Sequence, residues 1–372
     1  DTPENAGHGA ILTIDLGALA ANWRMLRQRA GTEAAAVVKA NAYGIGIEPA
    51  VTALAQAGCK SFFVAHLSEA VRARSVAPEA TIYVLNGLAP ETGGAYAEHD
   101  LSPVLGSHEE LLEWAGFRQS GAKVRPAALH VDTAMNRLGL WPGEGLDLAR
   151  EKSGVIAAAG IGLVMSHFAA SEVIDDPANA RQVSAFAEIV AAFPGVPASL
   201  LNSSGHFLPG CPSYQLTRPG YALYGGNPTP GQPNPMRPVV GLEAQIIQLR
   251  EVEAGTQVGY NGTWTAKGRR KLATICLGYA DGYPRNASWT DRSQGGSALV
   301  GGVRCPFVGT VSMDLIIVDV SDAPAEAARR GSAVTLIGGE LDLEAVGAGA
   351  KTIGYEILTS LGRRHARRYV GL

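Results

Sequence analysis

The chain has 372 residues, of which 46% are hydrophobic and 17% charged, with a formal net charge of −3. Such a chain is too apolar to be disordered, and its scattered Lys and Arg lack the dense basic surface of a nucleic-acid binder. At roughly 150 residues per domain the length suggests two domains, although an α/β barrel takes about 200–250 by itself.

No apolar run reaches the ~18 residues of a membrane span, and the opening Asp-Thr-Pro-Glu-Asn is polar. The expectation is a soluble, cytoplasmic protein. Cys59, Cys211, Cys276 and Cys305 stand far apart with no CxxC pair. That spacing argues against a disulfide scaffold and a zinc site, so the thiols read as core residues of a reducing compartment and no metal is expected.

In chain order, Ala10 to Ile14 reads as a strand. Asp15 then caps a helix whose apolar positions Leu16, Leu19, Ala20, Trp23 and Leu26 follow a helical period. Ala34 to Val38 is strand-like, and Glu48 to Ala57 reads as a helix stopped by Gly58. Ser61 to Ala65, Thr81 to Leu85, Pro126 to Val131, Gly162 to Ser166 and Ala198 to Leu201 are further strands with helices between them. One helix opens at Ser107, where Glu110 completes a capping box; another carries Val183, Phe186, Ala187 and Val190 on one face. Strands alternating with helices over this length imply a parallel sheet, and an eight-stranded (β/α) barrel fits better than a doubly wound sheet.

The stretch NPTPGQPNPMRP, Asn227 to Pro238, reads as a linker. The expected domains are therefore 1–238, a barrel, and 239–372, mainly β, with the first ~10 residues a candidate to join the β domain. Strands are expected at Leu242 to Leu249, Leu272 to Leu277, Leu315 to Val320 and Ala333 to Ile337, with a helix at Leu343 to Ala350.

Lys39 follows the apolar run Ala-Ala-Val-Val and would be delivered to a strand's C-terminal end in the barrel mouth. There desolvation destabilises the ammonium, and a neutral amine can form a Schiff base; a solvated strand-end lysine is the plainer alternative. Tyr279 stands on a turn in Gly-Tyr-Ala-Asp-Gly-Tyr-Pro-Arg, either a half-buried hairpin aromatic or a base. A phenol acts as a base only where something nearby stabilises the phenolate. Arg137, His167, Ser203 and Arg218-Pro-Gly220-Tyr221 lie at expected strand ends, where hydroxyls and Gly-flanked amides make a phosphate cradle without a Walker loop.

Taken in order, VVKANAYG, DTAMNRLG, SHFA, LNSS, RPGYALYG, GYADGYPR, VSMD with VDV, and Gly354-Tyr355-Glu356 resemble the alanine racemase family along nearly the whole chain. The resemblance implies a pyridoxal 5'-phosphate enzyme with an α/β barrel followed by a mainly β domain. It implies a head-to-tail homodimer with shared active sites, in which the tyrosine enters the partner's site, and a role in supplying D-alanine for peptidoglycan. Position by position, Lys39 matches the cofactor-holding lysine and base of one face, and Tyr279 the base of the other. Arg218 matches the arginine beside the pyridine nitrogen, and His167 the histidine linking it to the tyrosine. Tyr43, Ser203, Gly220, Tyr221 and Tyr355 match phosphate contacts, Arg137 and Met313 match substrate-carboxylate contacts, and Asp314 belongs to the same signature.

Two bases on opposite faces suit racemisation, which removes the α-proton from one face and returns one to the other. Arg218 should keep the ring nitrogen unprotonated and limit side reactions, and a cationic Arg218 and His167 would favour a phenolate. Two positions depart from the pattern. Some racemases carry a carbamylated lysine where this chain has His130, which cannot be a fixed negative partner for Arg137; Ser312 stands where many relatives have a small thiol. A barrel-type decarboxylase of basic amino acids and a non-catalytic pyridoxal-phosphate carrier share parts of the pattern, but GYADGYPR and the second domain favour the racemase.

Overall fold

In the computed structural model residues 9–371 are described, so the polar opening lies outside the described residues. The chain divides into two compact units. One takes in Leu19–Ala42 and Gly46–Arg237; the other takes in the described residues up to Ala18, Tyr43–Ile45 and everything described from Pro238 onward.

The first unit is built on a curled parallel sheet of seven strands in chain order. They are Ala36–Val37, Ser61–Val64, Thr81–Val84, Ser102–Leu105, Ala127–His130, Ile161–Met165 and Ala198–Ser199. Helices Ile47–Gln56, Leu67–Val76, Gly93–Glu98, His108–Gln119, Pro142–Glu151, Ser153–Ala159 and Pro177–Ala192 fill the crossovers, as parallel pairing requires. Ser61–Val64, Ser102–Leu105 and Ala127–His130 are buried at every residue, which is how a strand reads when both sheet faces are covered. Beyond this ladder, Leu216–Thr217 pairs in parallel with Glu33–Ala34. Ala35 N donates to Thr217 O at 2.8 Å and Val37 N to Pro219 O at 3.0 Å. On the other side Gln215 N donates to Ala198 O at 3.2 Å and Arg218 N to Leu201 O at 2.8 Å.

Local signals act as read. Ala18 N donates to Asp15 Oδ1 at 2.8 Å, and helix Leu16–Ala30 buries Leu16, Leu19, Ala20, Trp23 and Leu26. Ser107 and Glu110 form the reciprocal capping box. Other expectations need correction. Helix Pro177–Ala192 buries Gln182, Phe186 and Ile189, while Ala187 faces solvent. Strand Ser102–Leu105 was masked by Pro103, which normally argues against a paired strand. The segment read as a linker is a pinned loop: Asn234 Nδ2 donates to Gly225 O at 2.9 Å, Met236 is buried, and Asn22 clamps Arg237 through both its backbone groups.

The second unit is mainly β. Its sheet runs Val303–Pro306, Ser297–Val300, Ala333–Ile337, Val240–Val252, Ala10–Asp15 and Ala366–Val370. Strand Arg270–Ile275 pairs with both Val240–Val252 and Ile316–Asp319. The 13-residue strand Val240–Val252 pairs with Ala10–Asp15 and Ala333–Ile337 along its first half and with Arg270–Ile275 along its second. Strand Ala10–Asp15 belongs to this sheet, antiparallel to Val240–Val252, and not to the parallel alternation it precedes. Helices Leu343–Gly349 and Gly354–Ser360 complete the unit.

All four cysteines are free; Cys59 and Cys305 are buried, and Cys211 and Cys276 are partly exposed. Among the described residues no helix is long and apolar enough to cross a membrane, and no group of His, Cys, Asp and Glu is placed to hold a metal ion.

Candidate active site

In the first unit, Lys39 follows the buried run Ala34–Val38. The backbone then turns left-handed: Ala40, Asn41 and Ala42 have φ of 54, 55 and 53°. Each such residue costs about 1–2 kcal/mol relative to a right-handed conformation, so the turn needs external support. Asn41 supplies it. Its N–H reaches Glu69 Oε1 at 3.2 Å, while Asn41 Oδ1 accepts from Ile47 N at 3.2 Å and Arg72 Nη2 at 2.9 Å. Desolvation lowers the Lys39 pKa, Arg137 lowers it further, and Glu69 partly opposes them.

Arg137 sits on the exposed loop after Ala127–His130. Asp132 organises that loop by accepting from the backbone N–H of Ala134, Met135 and Arg137 at 2.9, 2.7 and 3.1 Å. His130, the last residue of that strand, is neutral: burial and then the Arg218 charge push its pKa down to about 4. It therefore offers Arg137 no negative charge.

Arg218 is buried, and its two amino groups donate to Ser199 Oγ and to the Ser166 carbonyl, both at 2.5 Å. The guanidinium lies 5.8 Å from the Phe63 ring centroid. Burial lowers its pKa to about 9, which leaves it charged at neutral pH. His167 differs from expectation. Burial, followed by Arg218, Arg137, Lys39 and His130, pushes its pKa down to about 3, so the imidazole is neutral and not cationic. Arg218, Arg137, Lys39 and His130 are thus all close enough to act on His167 electrostatically. Ser203 Oγ accepts from Gly220 N at 3.0 Å and Ala222 N at 3.1 Å, turning that backbone segment toward one point. Gly226 is required beside Tyr221, since a Cβ there would lie 2.2 Å from the Tyr221 ring.

In the second unit, Tyr279 is 39% exposed on the turn Tyr279–Asp281. Tyr279 N donates to Ser312 O at 3.0 Å and Ala280 N to Met313 O at 2.9 Å, so the turn and the Met313 loop are tied backbone to backbone. Asp281 Oδ2 accepts from Gly278 N at 2.9 Å, and Arg364 bridges Asp281 and Asp314 at 3.2 and 2.8 Å. Tyr43 and Tyr355 pack with ring centroids 6.3 Å apart, and burial raises the Tyr43 pKa. An open cleft of about 400 Å³ beside Tyr279 is lined by Tyr283, Arg285, Lys351, Thr352 and Glu356. The sequence reading missed Glu69, Arg72, Ser166, Gln182 and Ser199, which have partners far away along the chain that leave no local period or spacing; Asp132 stands in the quoted DTAMNRLG, but its loop-holding role was not read there.

The sequence pattern of the alanine racemase N-terminal domain matches residues 14–228, and that of the alanine racemase C-terminal domain matches residues 239–369. The chain is 59% identical to alanine racemase of Methylobacterium sp. (strain 4-46) over 364 residues, 98% of either protein. It is 58% identical to alanine racemase of Methylobacterium nodulans over 366 residues, 98% of this chain and 97% of that protein. Among solved structures, alanine racemase from Bartonella henselae with covalently bound pyridoxal phosphate superimposes with a TM-score of 0.91 at 40% identity, covering 97% of this chain and 99% of that one. The chain therefore belongs to the alanine racemase family, whose members are pyridoxal-phosphate-dependent racemases.

Proposed function

We propose that Lys39 and Tyr279 carry out the family's interconversion of L- and D-alanine, exchanging protons with the substrate α-carbon on opposite faces. The observation that carries this reading is the convergence of Lys39, Arg137 and Arg218 on a neutral His167, with the lysine pKa lowered chiefly by burial. A lysine that gives up its proton readily can take one from carbon and return it. The residues fit pyridoxal phosphate: Arg218 is a buried cation hydrogen-bonded to neutral oxygens, and Ser203 Oγ, accepting from Gly220 N and Ala222 N, has its own hydrogen left to donate to a phosphate. When bound, that group supplies the electron sink that acidifies the α-proton.

Lys39 Nζ would hold the cofactor, and Arg218, charged at neutral pH, would stand beside its ring nitrogen and disfavour protonation there. Neutral His167 links Arg218 to the Tyr279 hydroxyl by hydrogen bonding. Tyr43, Ser203, Gly220, Tyr221 and Tyr355 would hold the phosphate, and Arg137 and Met313 the substrate carboxylate. Tyr279 acts in the partner's site within a head-to-tail homodimer. Exposed apolar side chains of Tyr279, Met313, Leu315 and Ile353 in one unit support that assembly, since isolated chains rarely leave such residues uncovered together.

Closure of the curled sheet as an eight-stranded barrel is part of the proposal, supported by the bonds from Leu216–Thr217 and its flanks to both sheet ends. Domain limits of 1–238 and 239–372 are part of the proposal, supported by family matches that end at 228 and resume at 239, and the pairing of strand Ala10–Asp15 with Val240–Val252 supports the opening residues joining the β domain. A cytoplasmic enzyme supplying D-alanine for peptidoglycan is the accompanying cellular role. The test is incubation with L-alanine in deuterated water, followed by chiral analysis and a count of deuterium at the α-carbon. One deuterium in the D-product is expected. Lys39→Ala and Tyr279→Phe should each abolish turnover alone, and mixed dimers of the two should regain part of it; no regain would sink the shared site.

A further inference from the structure

Gln182 lies on helix Pro177–Ala192, which starts with Pro177 in its first turn and Asp176 Oδ1 accepting from Ala178 N at 2.8 Å. It shares the inward face with Phe186 and Ile189 and is wholly buried. An amide among apolar neighbours destabilises the fold unless its hydrogen-bonding groups are satisfied. Here they are. Gln182 Nε2 donates to His167 O at 2.9 Å and Thr133 Oγ1 at 3.1 Å, and Gln182 Oε1 accepts from Ala169 N at 2.8 Å. A carbonyl only accepts and a backbone N–H only donates, so these partners fix the amide orientation without ambiguity.

The network continues outward from there. Thr133 Oγ1 accepts from Gln182 and shares a hydrogen bond of 2.7 Å with Ser166 Oγ. Ser166 O accepts from Arg218. One chain of hydrogen bonds therefore runs from the backbone on both sides of Phe168, through Gln182 and Thr133, to the residue that holds Arg218. Thr133 also lies in the Asp132 loop that carries Arg137.

We infer that Gln182 is a positioning residue: its amide fixes the His167 backbone against the Thr133–Ser166–Arg218 chain, and so sets how well the Tyr279 side of the reaction transfers its proton. This rests on the reading of His167 as the link to Tyr279. Gln182 touches neither substrate nor cofactor in this account, and apolar packing alone would be served by Leu or Met.

The test uses Gln182→Met, similar in length but without the amide, in the holoenzyme, with turnover and α-deuterium isotope effects measured separately for L- and D-alanine. The expected result is a fall in kcat/KM of about tenfold to a hundredfold, equal in both directions because the equilibrium constant is fixed. The isotope effect should rise for the enantiomer deprotonated by Tyr279 and not rise for the one deprotonated by Lys39. A structural role alone would reduce the active fraction and leave both isotope effects at wild-type values, which overturns the inference. If Gln182→Met does not fold, Thr133→Val removes one link and decides the matter, with Thr133→Ser expected to restore wild-type behaviour; wild-type isotope effects in Thr133→Val overturn the proposal. Tyr279→Phe distinguishes the two levels. No turnover defect there sinks the two-base reading, whereas a defect there with none in Gln182→Met sinks only the role of Gln182.

Discussion

The guanidinium of Arg72 donates to Asn41 Oδ1 at 2.9 Å and thereby steadies the left-handed turn that follows Lys39. Arg72 also pairs with Glu48 at 2.6 Å, but both partners are about two-fifths exposed, so that ion pair contributes little by itself. The Asn41 bond matters more because it supports backbone that alanine neighbours would not adopt unaided.

Asn41→Ala and Arg72→Met should each lower stability by about 1–2 kcal/mol in urea denaturation. The double variant should be little worse than Asn41→Ala alone, because Asn41→Ala already removes the shared bond and Arg72→Met adds only the loss of an exposed ion pair. Fully additive losses would show that the two residues act independently.

Histidine protonation should make the protein acid-labile. The pKa values of His130, His167 and His206 are pushed down to about 4, 3 and 4, mainly by burial. In the unfolded chain they titrate near 6.5, so between about pH 4 and 6.5 the unfolded state binds more protons. Their contribution is complete above pH 6.5 and is lost as pH falls toward the folded values. His130 Nε2 is buried with no hydrogen-bond partner among the described residues. Replacing it in His130→Met should flatten the stability slope around pH 5, measured by denaturation at several pH values; an unchanged slope would show that His130 takes no part.

Arg218 donates to two neutral oxygens, and a carboxylate at that position would reverse the sign of the local charge. Arg218→Glu should raise the ratio of transamination to racemisation, followed as pyruvate formed per D-alanine produced. An unchanged ratio would count against the role assigned to its charge.

Gly226 allows the Tyr221 ring its position, and the Cβ of Gly226→Ala would lie 2.2 Å from that ring. Overpacking of this kind costs about 1–3 kcal/mol and displaces side chains. Weaker retention of pyridoxal phosphate in equilibrium dialysis is expected, and wild-type retention would remove Tyr221 from the phosphate contacts.

Asp132 holds its loop through three backbone N–H groups. Asp132→Ala should raise KM for alanine more than it lowers kcat, since the loop carries the proposed carboxylate contact. A change confined to kcat would contradict that division.

Features that depend on residues within about four positions could be read directly. The Ser107–Glu110 capping box, the buried stripe of helix Leu16–Ala30 and the apolar run ahead of Lys39 are of this kind, because caps and periods are set by near neighbours. The ordered motifs carried the family for the same reason. Folding alone settled the rest, because it depended on distant partners. Strand Ala10–Asp15 chose Val240–Val252, Gln182 found Thr133 across 49 positions, and His167 lost its charge to burial among cations from separate loops. A left-handed turn over alanines has no local signature, since its support comes from Glu69 and Arg72. Desolvation and hydrogen bonding act on whatever the folded chain brings close, and closeness in space is not written in the order of residues.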